Sequence, residues 1–238
     1  MKSQRPEVVV GDVTLLRQRL RALVTQAAEG AAADGRRWSM AIPGGSVVAQ
    51  LLSALGPHDA PWEACDLFWV DERAVPWTDP DSNYGQARAH WLGSLASTGV
   101  RLHPIPVDAP TLEGCATAYE ATMSAVLGPD GVLDLVIVGV GEDGHVASLF
   151  PGDEEALGSS RLVIPVAHSP KPPAQRLTLT LRALTGGRCL VAAAFGASKA
   201  TAVRAALRDE DWELPITRLL RDARRVNVLL DRAAAGQD

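Results

Sequence analysis

The stretch Leu135-Val-Ile-Val-Gly-Val-Gly-Glu-Asp-Gly-His-Val-Ala-Ser-Leu-Phe-Pro-Gly152 constrains the fold of this chain more than any other. It opens as a short apolar run rich in β-branched residues, the mark of a strand buried inside a parallel sheet. It then breaks at Gly139, Gly141 and Gly144, the glycines that frame Glu142, Asp143 and His145. Open α/β sheets take their ligands just beyond the carboxyl ends of their strands. Glycines let the backbone approach a substrate, and a histidine moves protons near neutral pH.

The same glycines spell G-x-G-x-x-G, the dinucleotide fingerprint. That reading needs a helix straight after the glycines and an acidic residue about 20 positions on. Here the chain runs into Phe150-Pro-Gly152, a loop signal, and the motif lies past the middle of the chain. A nicotinamide cofactor is therefore not expected.

The remaining pattern alternates strands and helices. Asp12 can cap a helix from about Val13 to Ala33, with Leu16, Leu20, Leu23 and Val24 on one face. Strands are expected at Trp38–Ile42, Asp66–Val70, Leu102–Val107, Leu133–Gly139, Arg161–Val166, Arg176–Leu181, Arg188–Ala194 and Val226–Leu230. Helices are expected at Val47–Leu55, from Ser82 or Asn83 toward Trp91, at Thr111–Leu127, from Gly196 to Leu207, at Pro215–Leu220 and in a short tail. This order implies an α/β fold: a doubly wound, mostly parallel, Rossmann-like sheet with helices on both faces. No linker, repeat or low-complexity segment divides it, so residues 1–238 are expected to form one domain.

Composition excludes several functions. A net charge of -5 gives no electrostatic footprint for nucleic acid. No run of about 18 apolar residues suggests a membrane span. Residues 1–10 lack an apolar signal core, which points to a cytoplasmic protein. Cys65, Cys115 and Cys189 are widely spaced and odd in number, which suits buried reduced thiols. No Cys-x-x-Cys pair suggests a metal site. The sequence leaves the oligomeric state, monomer or dimer, open.

Several loops carry candidate chemistry. Pro43-Gly44-Gly45-Ser46 joins a strand to a helix. Its free N–H groups, the helix dipole and the Ser46 hydroxyl make an anion site; otherwise it is a tight turn capped by Ser46. Asp71-Glu72-Arg73 follows a strand. Arg73 can clamp a phosphate and Asp71 can orient it or act as a base, unless the triplet is a solvated charged turn. His145 is the best general-base candidate, on a glycine-flanked loop beside Asp143 with no apolar surroundings evident in the sequence. Ser148 sits in no G-x-S-x-G elbow and is not read as a nucleophile. Lys171 and Arg176 flank Pro172-Pro173, and Lys171 reads as a solvent-exposed cation. Lys199 opens a helix, where a bound anion would relieve its unfavourable place in the dipole. Most of these residues fall on carboxyl-end loops, along one edge of the sheet. A phosphate site beside a proton-transfer site implies a small phosphorylated substrate.

Taken together, Pro43-Gly-Gly-Ser46, Asp71-Glu-Arg73, Ser82-Asn83, the 139–152 loop, Pro170-Lys-Pro-Pro173 with Arg176 and Thr178, and Gly196-Ala-Ser-Lys199 resemble a known family. It is the 6-phosphogluconolactonases, within the wider glucosamine-6-phosphate isomerase/deaminase group. Pro215-Ile216 and Asp231 resemble its C-terminal pattern, so the likeness covers nearly the whole chain. The resemblance implies hydrolysis of 6-phospho-D-glucono-1,5-lactone to 6-phospho-D-gluconate, the second step of the pentose phosphate pathway, with no metal or organic cofactor. It makes His145 the base that activates water and gives Asp71 and Asp143 orienting or tuning roles. It gives Gly44, Gly45, Ser46, Arg73, Arg176 and Lys199 the phosphate or sugar oxygens. Deaminases resemble the same loop but carry Asn-Glu where this chain has Leu149-Phe150. An isomerase/deaminase acting on an amino-sugar phosphate would need that carboxylate. A non-catalytic sugar-phosphate sensor would not need an intact His145. Val47 stands where the family often has Thr, one hydroxyl fewer near the phosphate.

Overall fold

The computed structural model describes residues 5–237. Residues 1–4 and 238 of the expected domain, including part of the segment read for a signal core, lie outside the described residues. In chain order the elements are β1 (Glu7–Val10), α1 (Val13–Ala33), β2 (Trp38–Ile42), α2 (Ser46–Gln50), β3 (Cys65–Trp69), β4 (Asp71–Arg73), α3 (Asn83–His90), β5 (Arg101–His103) and α4 (Leu112–Leu127). There follow β6 (Leu135–Gly139), α5 (Glu154–Leu157), β7 (Val163–Val166), β8 (Arg176–Leu179), α6 (Leu181–Gly186), β9 (Cys189–Ala194), α7 (Ala200–Arg208), α8 (Pro215–Asp222) and β10 (Val226–Leu230).

Seven strands form one parallel sheet in the order β1-β10-β9-β6-β2-β3-β5. The chain lays down β2, β3 and β5 outward in one direction. It then returns to place β6 against β2, and β9 and β10 extend the sheet the other way. The strand order therefore reverses between β2 and β6, and such a switch point opens a crevice at the carboxyl ends of the two strands. The loops that leave there are Pro43–Ser46 and Val140–Gly152. This is a doubly wound α/β fold.

The core follows from the sequence pattern. Asp12 accepts the Leu15 N–H at 2.9 Å and starts α1, which turns Leu16, Leu20, Leu23 and Val24 inward. Strands β2 and β3 are buried along their whole length, and β6 is buried except at its last residue, Gly139, as near-continuous apolar runs require.

Several expectations change, among them the short tail helix, which is a run of turns at residues 232–236. Asp71–Arg73 is not a turn but the short strand β4. The expected strands near 161–166 and 176–181 do not join the parallel sheet; β7 and β8 run antiparallel, and with β4 form a second sheet in the order β4-β8-β7. Val70 links the two sheets: its N–H donates to Ile42 at 2.9 Å and its carbonyl accepts from Leu179 at 2.8 Å. Pro165 fits because β7 is an edge strand. The helix expected from Val47 to Leu55 is only α2 followed by a 3-10 turn at Leu52–Ala54. Strand β1 and helices α5 and α6 are additional to the expected elements.

Candidate active site

The loop after β6 is folded tightly on itself. Gly141 N–H donates to His145 O at 2.9 Å, Gly144 N–H to Gly141 O at 3.1 Å, and Leu149 N–H to Val146 O at 2.9 Å. A Cβ on Gly141 would lie 2.0 Å from His145 Nδ1, so only glycine leaves room for the ring. Gly144 has φ +78°, and its carbonyl accepts from Ile216 at the start of α8. Ala147 adopts φ 51°, an unusual conformation for a residue with a side chain, in the middle of this loop.

His145 Nδ1 lies 2.5 Å from Asp143 Oδ1. A carboxylate can only accept, so Nδ1 carries the proton and the neutral ring keeps its lone pair on Nε2. Burial is the largest influence on His145 and pushes its pKa below the usual histidine value; the hydrogen bond and charge of Asp143 oppose this without cancelling it. Burial alone would raise Asp143, but the bond from His145 and the charge of Lys171 hold it below the usual carboxylate range. His145 is thus a neutral base at pH 7, held by an ionised acid. The sequence suggested a site without apolar surroundings, and the structure corrects this. The Phe150 ring packs 4.8 Å from the imidazole and supplies an apolar wall. Lys171, expected to be a free surface cation, instead lies 3.4 Å from both Asp143 Oδ2 and Glu142 Oε1.

Asp71 is held differently. Its Oδ1 accepts from Asn83 Nδ2 at 3.1 Å and its Oδ2 from Ser148 Oγ at 2.8 Å. Asn83 Nδ2 also donates to the Asp71 carbonyl. Asp143 therefore partners His145, while Asp71 is buried in a separate network. Arg176 closes that network. It donates from Nε to Pro173 O, from Nη2 to Lys171 O and Pro172 O, and from Nη1 to Ser148 Oγ at 3.4 Å. Only one Nη1 hydrogen stays free for a ligand. Its main work is to fold the 171–173 segment beside the site, with its guanidinium 5.7 Å from the Phe150 ring centre.

The other candidate cations have donors to spare. Arg73 donates Nη1 to Asp81 O at 2.7 Å, while its Nε is buried without a partner among the described residues. Lys199 ends a 3-10 turn and stands at the N-cap of α7, and among the described residues its ammonium group makes no hydrogen bond or ion pair. It sits beyond β9, next to β6 in the sheet. The Pro43–Ser46 turn follows β2. Gly45 has φ +66°, and its N–H is taken by Gln86 Oε1 at 3.0 Å rather than left free. Ser46 caps nothing, and α2 has five residues, so its dipole contributes little. Gly44 is required by packing: a Cβ there would meet Asn83 Oδ1 at 1.8 Å.

Sequence reasoning passed over the roles of Asn83, Ser148, Phe150 and Lys171. Ser82-Asn83 carries a helix-cap signal and Ser82 does cap α3, accepting from Gly85 N–H. Nothing local marks the contacts of Asn83 and Ser148 with Asp71.

The family model described as glucosamine-6-phosphate isomerases/6-phosphogluconolactonase matches residues 11–228. The chain belongs to this family. A 6-phosphogluconolactonase of Streptomyces coelicolor is 35% identical over 250 residues, covering 99% of this chain and 95% of the relative. The human 6-phosphogluconolactonase is 35% identical over 222 residues, 90% of this chain and 86% of its own. Among solved structures, a 6-phosphogluconolactonase from Shewanella baltica has TM-score 0.84 at 26% identity, covering 97% of this chain and 100% of the other. A monomeric glucosamine-6-phosphate deaminase, 20% identical with TM-score 0.78 over 98% of this chain and 100% of that one, shares the fold. The description of the family names both chemistries.

Proposed function

We propose that this chain hydrolyses 6-phospho-D-glucono-1,5-lactone to 6-phospho-D-gluconate, with residues 1–238 acting as one domain and His145 as the general base. The observation that carries the reading is the His145–Asp143 pair, a neutral imidazole with Nδ1 committed and Nε2 free, at the same sheet edge as Arg73, whose buried Nε has no partner among the described residues. His145 Nε2 takes a proton from water as the water oxygen attacks C1 of the lactone. Asp143 stabilises the imidazolium that forms. The oxyanion developing on the carbonyl oxygen needs donors, and the cationic rim supplies positive charge for it. When the tetrahedral adduct collapses, the C1–O5 bond breaks and the imidazolium returns its proton to the leaving ring oxygen. No covalent intermediate and no cofactor takes part in this scheme.

Arg73 and Lys199 hold the phosphate and sugar oxygens, with Gly44, Gly45 and Ser46 forming the floor and Arg176 the wall. Binding the remote phosphate fixes C1 near Nε2. Phe150 favours the lactonase over the deaminase branch, because an apolar ring stands where a carboxylate would be needed. A cytoplasmic setting belongs to the same reading, supported by three buried free cysteines. The test is turnover of lactone generated in place by glucose-6-phosphate dehydrogenase, with spontaneous hydrolysis subtracted. His145→Ala is expected to stay folded and lose roughly a hundredfold or more in rate. Wild-type-like activity in that variant removes His145 from its role, and turnover of glucosamine-6-phosphate instead would favour the deaminase branch.

A further inference from the structure

The opposite edge of the parallel sheet carries a second concentration of charge that the proposed reaction does not use. Arg36 and Arg37 stand just before β2, Arg101 opens β5, Arg188 precedes β9 and Arg225 precedes β10. All five therefore lie at strand amino ends, roughly 15 Å along the strands from the carboxyl-edge loops. Two adjoining clefts there share Arg36 and Arg188, and the larger has a volume of about 490 Å³. The lining sets five arginines against three aspartates, in a chain whose net charge is -5.

Part of this cluster is explained by the fold. Buried Asp134 accepts both Nη groups of Arg36, at 2.7 and 2.6 Å. Buried Asp66 accepts Arg37 Nε at 2.7 Å and lies 2.9 Å from His103 Nε2. These pairs fix Arg36 and Arg37 rigidly at the cleft. Arg101 and Arg188 are left over. Among the described residues the Arg101 side chain makes no hydrogen bond or ion pair, and Arg188 approaches Asp134 through Nε at 3.3 Å, with no hydrogen-bond acceptor on its outer nitrogens. The facing wall of the cleft is apolar, from Ala125, Val126, Leu127 and Val132, with Val126 40% exposed.

Free guanidinium forks match the geometry of a phosphoryl group, and an exposed aliphatic wall gains by covering. We propose that this amino-edge cleft binds an organic phosphate, with the phosphoryl group on Arg101 and Arg188 and its apolar body on the wall of α4. The site is separate from the lactone site and holds or fails independently of it.

The probe is phenyl phosphate, followed by titration calorimetry, with inorganic phosphate for comparison. The variants are Arg101→Ala/Arg188→Ala, Arg101→Gln alone, which keeps the Arg188–Asp134 pair, and Arg73→Ala at the other edge. Saturable binding that survives in Arg73→Ala and weakens at least tenfold in the double variant supports the site. Arg101→Gln is expected to weaken it less, and lactonase turnover without the probe is expected to stay unchanged in both amino-edge variants. Phenyl phosphate is expected to bind severalfold more tightly than inorganic phosphate. Loss of binding in Arg73→Ala assigns the anion to the carboxyl edge and overturns the proposal. So does full retention in the double variant, the absence of saturable binding to wild type, or equal affinity for the two probes.

Discussion

The Phe150 ring stands 4.8 Å from the His145 imidazole, tilted by 35°. This contact removes water from one side of the base and lowers its pKa, because burial disfavours the charged ring. In the proposed reaction the base must be neutral to work. Activity is therefore expected to fall with decreasing pH through a value below the usual 6.5 of histidine and to be level around neutrality. Phe150→Ala lets water reach the ring, so the acid limb is expected to move to higher pH. Turnover at alkaline pH should drop by less than about tenfold, since the base itself remains. The check is kcat/KM against pH for both proteins; an unmoved limb would detach Phe150 from the tuning of His145.

Asp143 acts in the opposite sense. Its hydrogen bond and charge raise the His145 pKa against burial and fix the tautomer. Asp143→Asn is expected to lower kcat roughly a hundredfold or more and to shift the acid limb to lower pH. Asp71→Asn is expected to shift it less, because Asp71 reaches His145 only through its charge while its oxygens bond Asn83 and Ser148. Parallel pH profiles separate the two acids, and a larger shift from Asp71→Asn would reverse their assignment.

Gly141→Ala tests the packing of the loop. The added methyl would sit 2.0 Å from His145 Nδ1 and 2.6 Å from Asp143 Oδ1, so the pair must separate. Overpacking of this kind costs about 1–3 kcal/mol. A base displaced by even about 1 Å loses about a hundredfold in rate. Melting curves and turnover together are expected to show a mild stability loss and a severe activity loss; full activity would mean that the loop relaxes without moving the base.

Much of this site was legible because a single rule about open α/β sheets places the loops after β2, β3, β6 and β9 along one edge. His145, Asp143, Gly44 and Lys199 follow from local signals at those strand ends. The rest depends on partners distant in sequence. Asp71–Arg73 reads as a turn until β8, about 100 residues later, lies beside it and supplies the ladder. Ser148 looks idle until its hydroxyl meets Asp71, 77 residues away. Gly45 looks like a free donor until Gln86 accepts its N–H. The apolar neighbour of His145 was only five residues away, but the tight turn that brings Phe150 back over the ring is set by backbone bonds that composition does not reveal.

Arg73 separates binding from chemistry. Its buried Nε has no partner among the described residues, and a phosphate is the natural acceptor for such a donor. Arg73→Ala is expected to raise KM for the phosphorylated lactone at least tenfold with a smaller effect on kcat. Hydrolysis of unphosphorylated gluconolactone is expected to stay near its wild-type rate. Equal losses on both substrates would place Arg73 in the framework rather than at the phosphate.

Glu72 holds the framework on which Asp71 and Asn83 depend. It is 1% exposed and accepts four hydrogen bonds, from the N–H groups of Arg73, Asn83 and Tyr84 and from Ser82 Oγ. Burial pushes its carboxyl above the usual range, and these four donors oppose that push. They tie the first turn of α3 to β4, which sets Asn83 against Asp71 and against Gly44. Glu72→Ala leaves four donors unpaired in the interior, a loss of roughly 3–5 kcal/mol by analogy with broken buried polar pairs. Glu72→Gln keeps the volume and one acceptor oxygen and is expected to lose about half as much. Denaturant unfolding measures both losses. If Glu72→Ala unfolds at the wild-type midpoint, the α3–β4 tie contributes nothing to stability, and the position of Asp71 must rest on its bond from Ser148 and its antiparallel pairing with Thr178 of β8 instead.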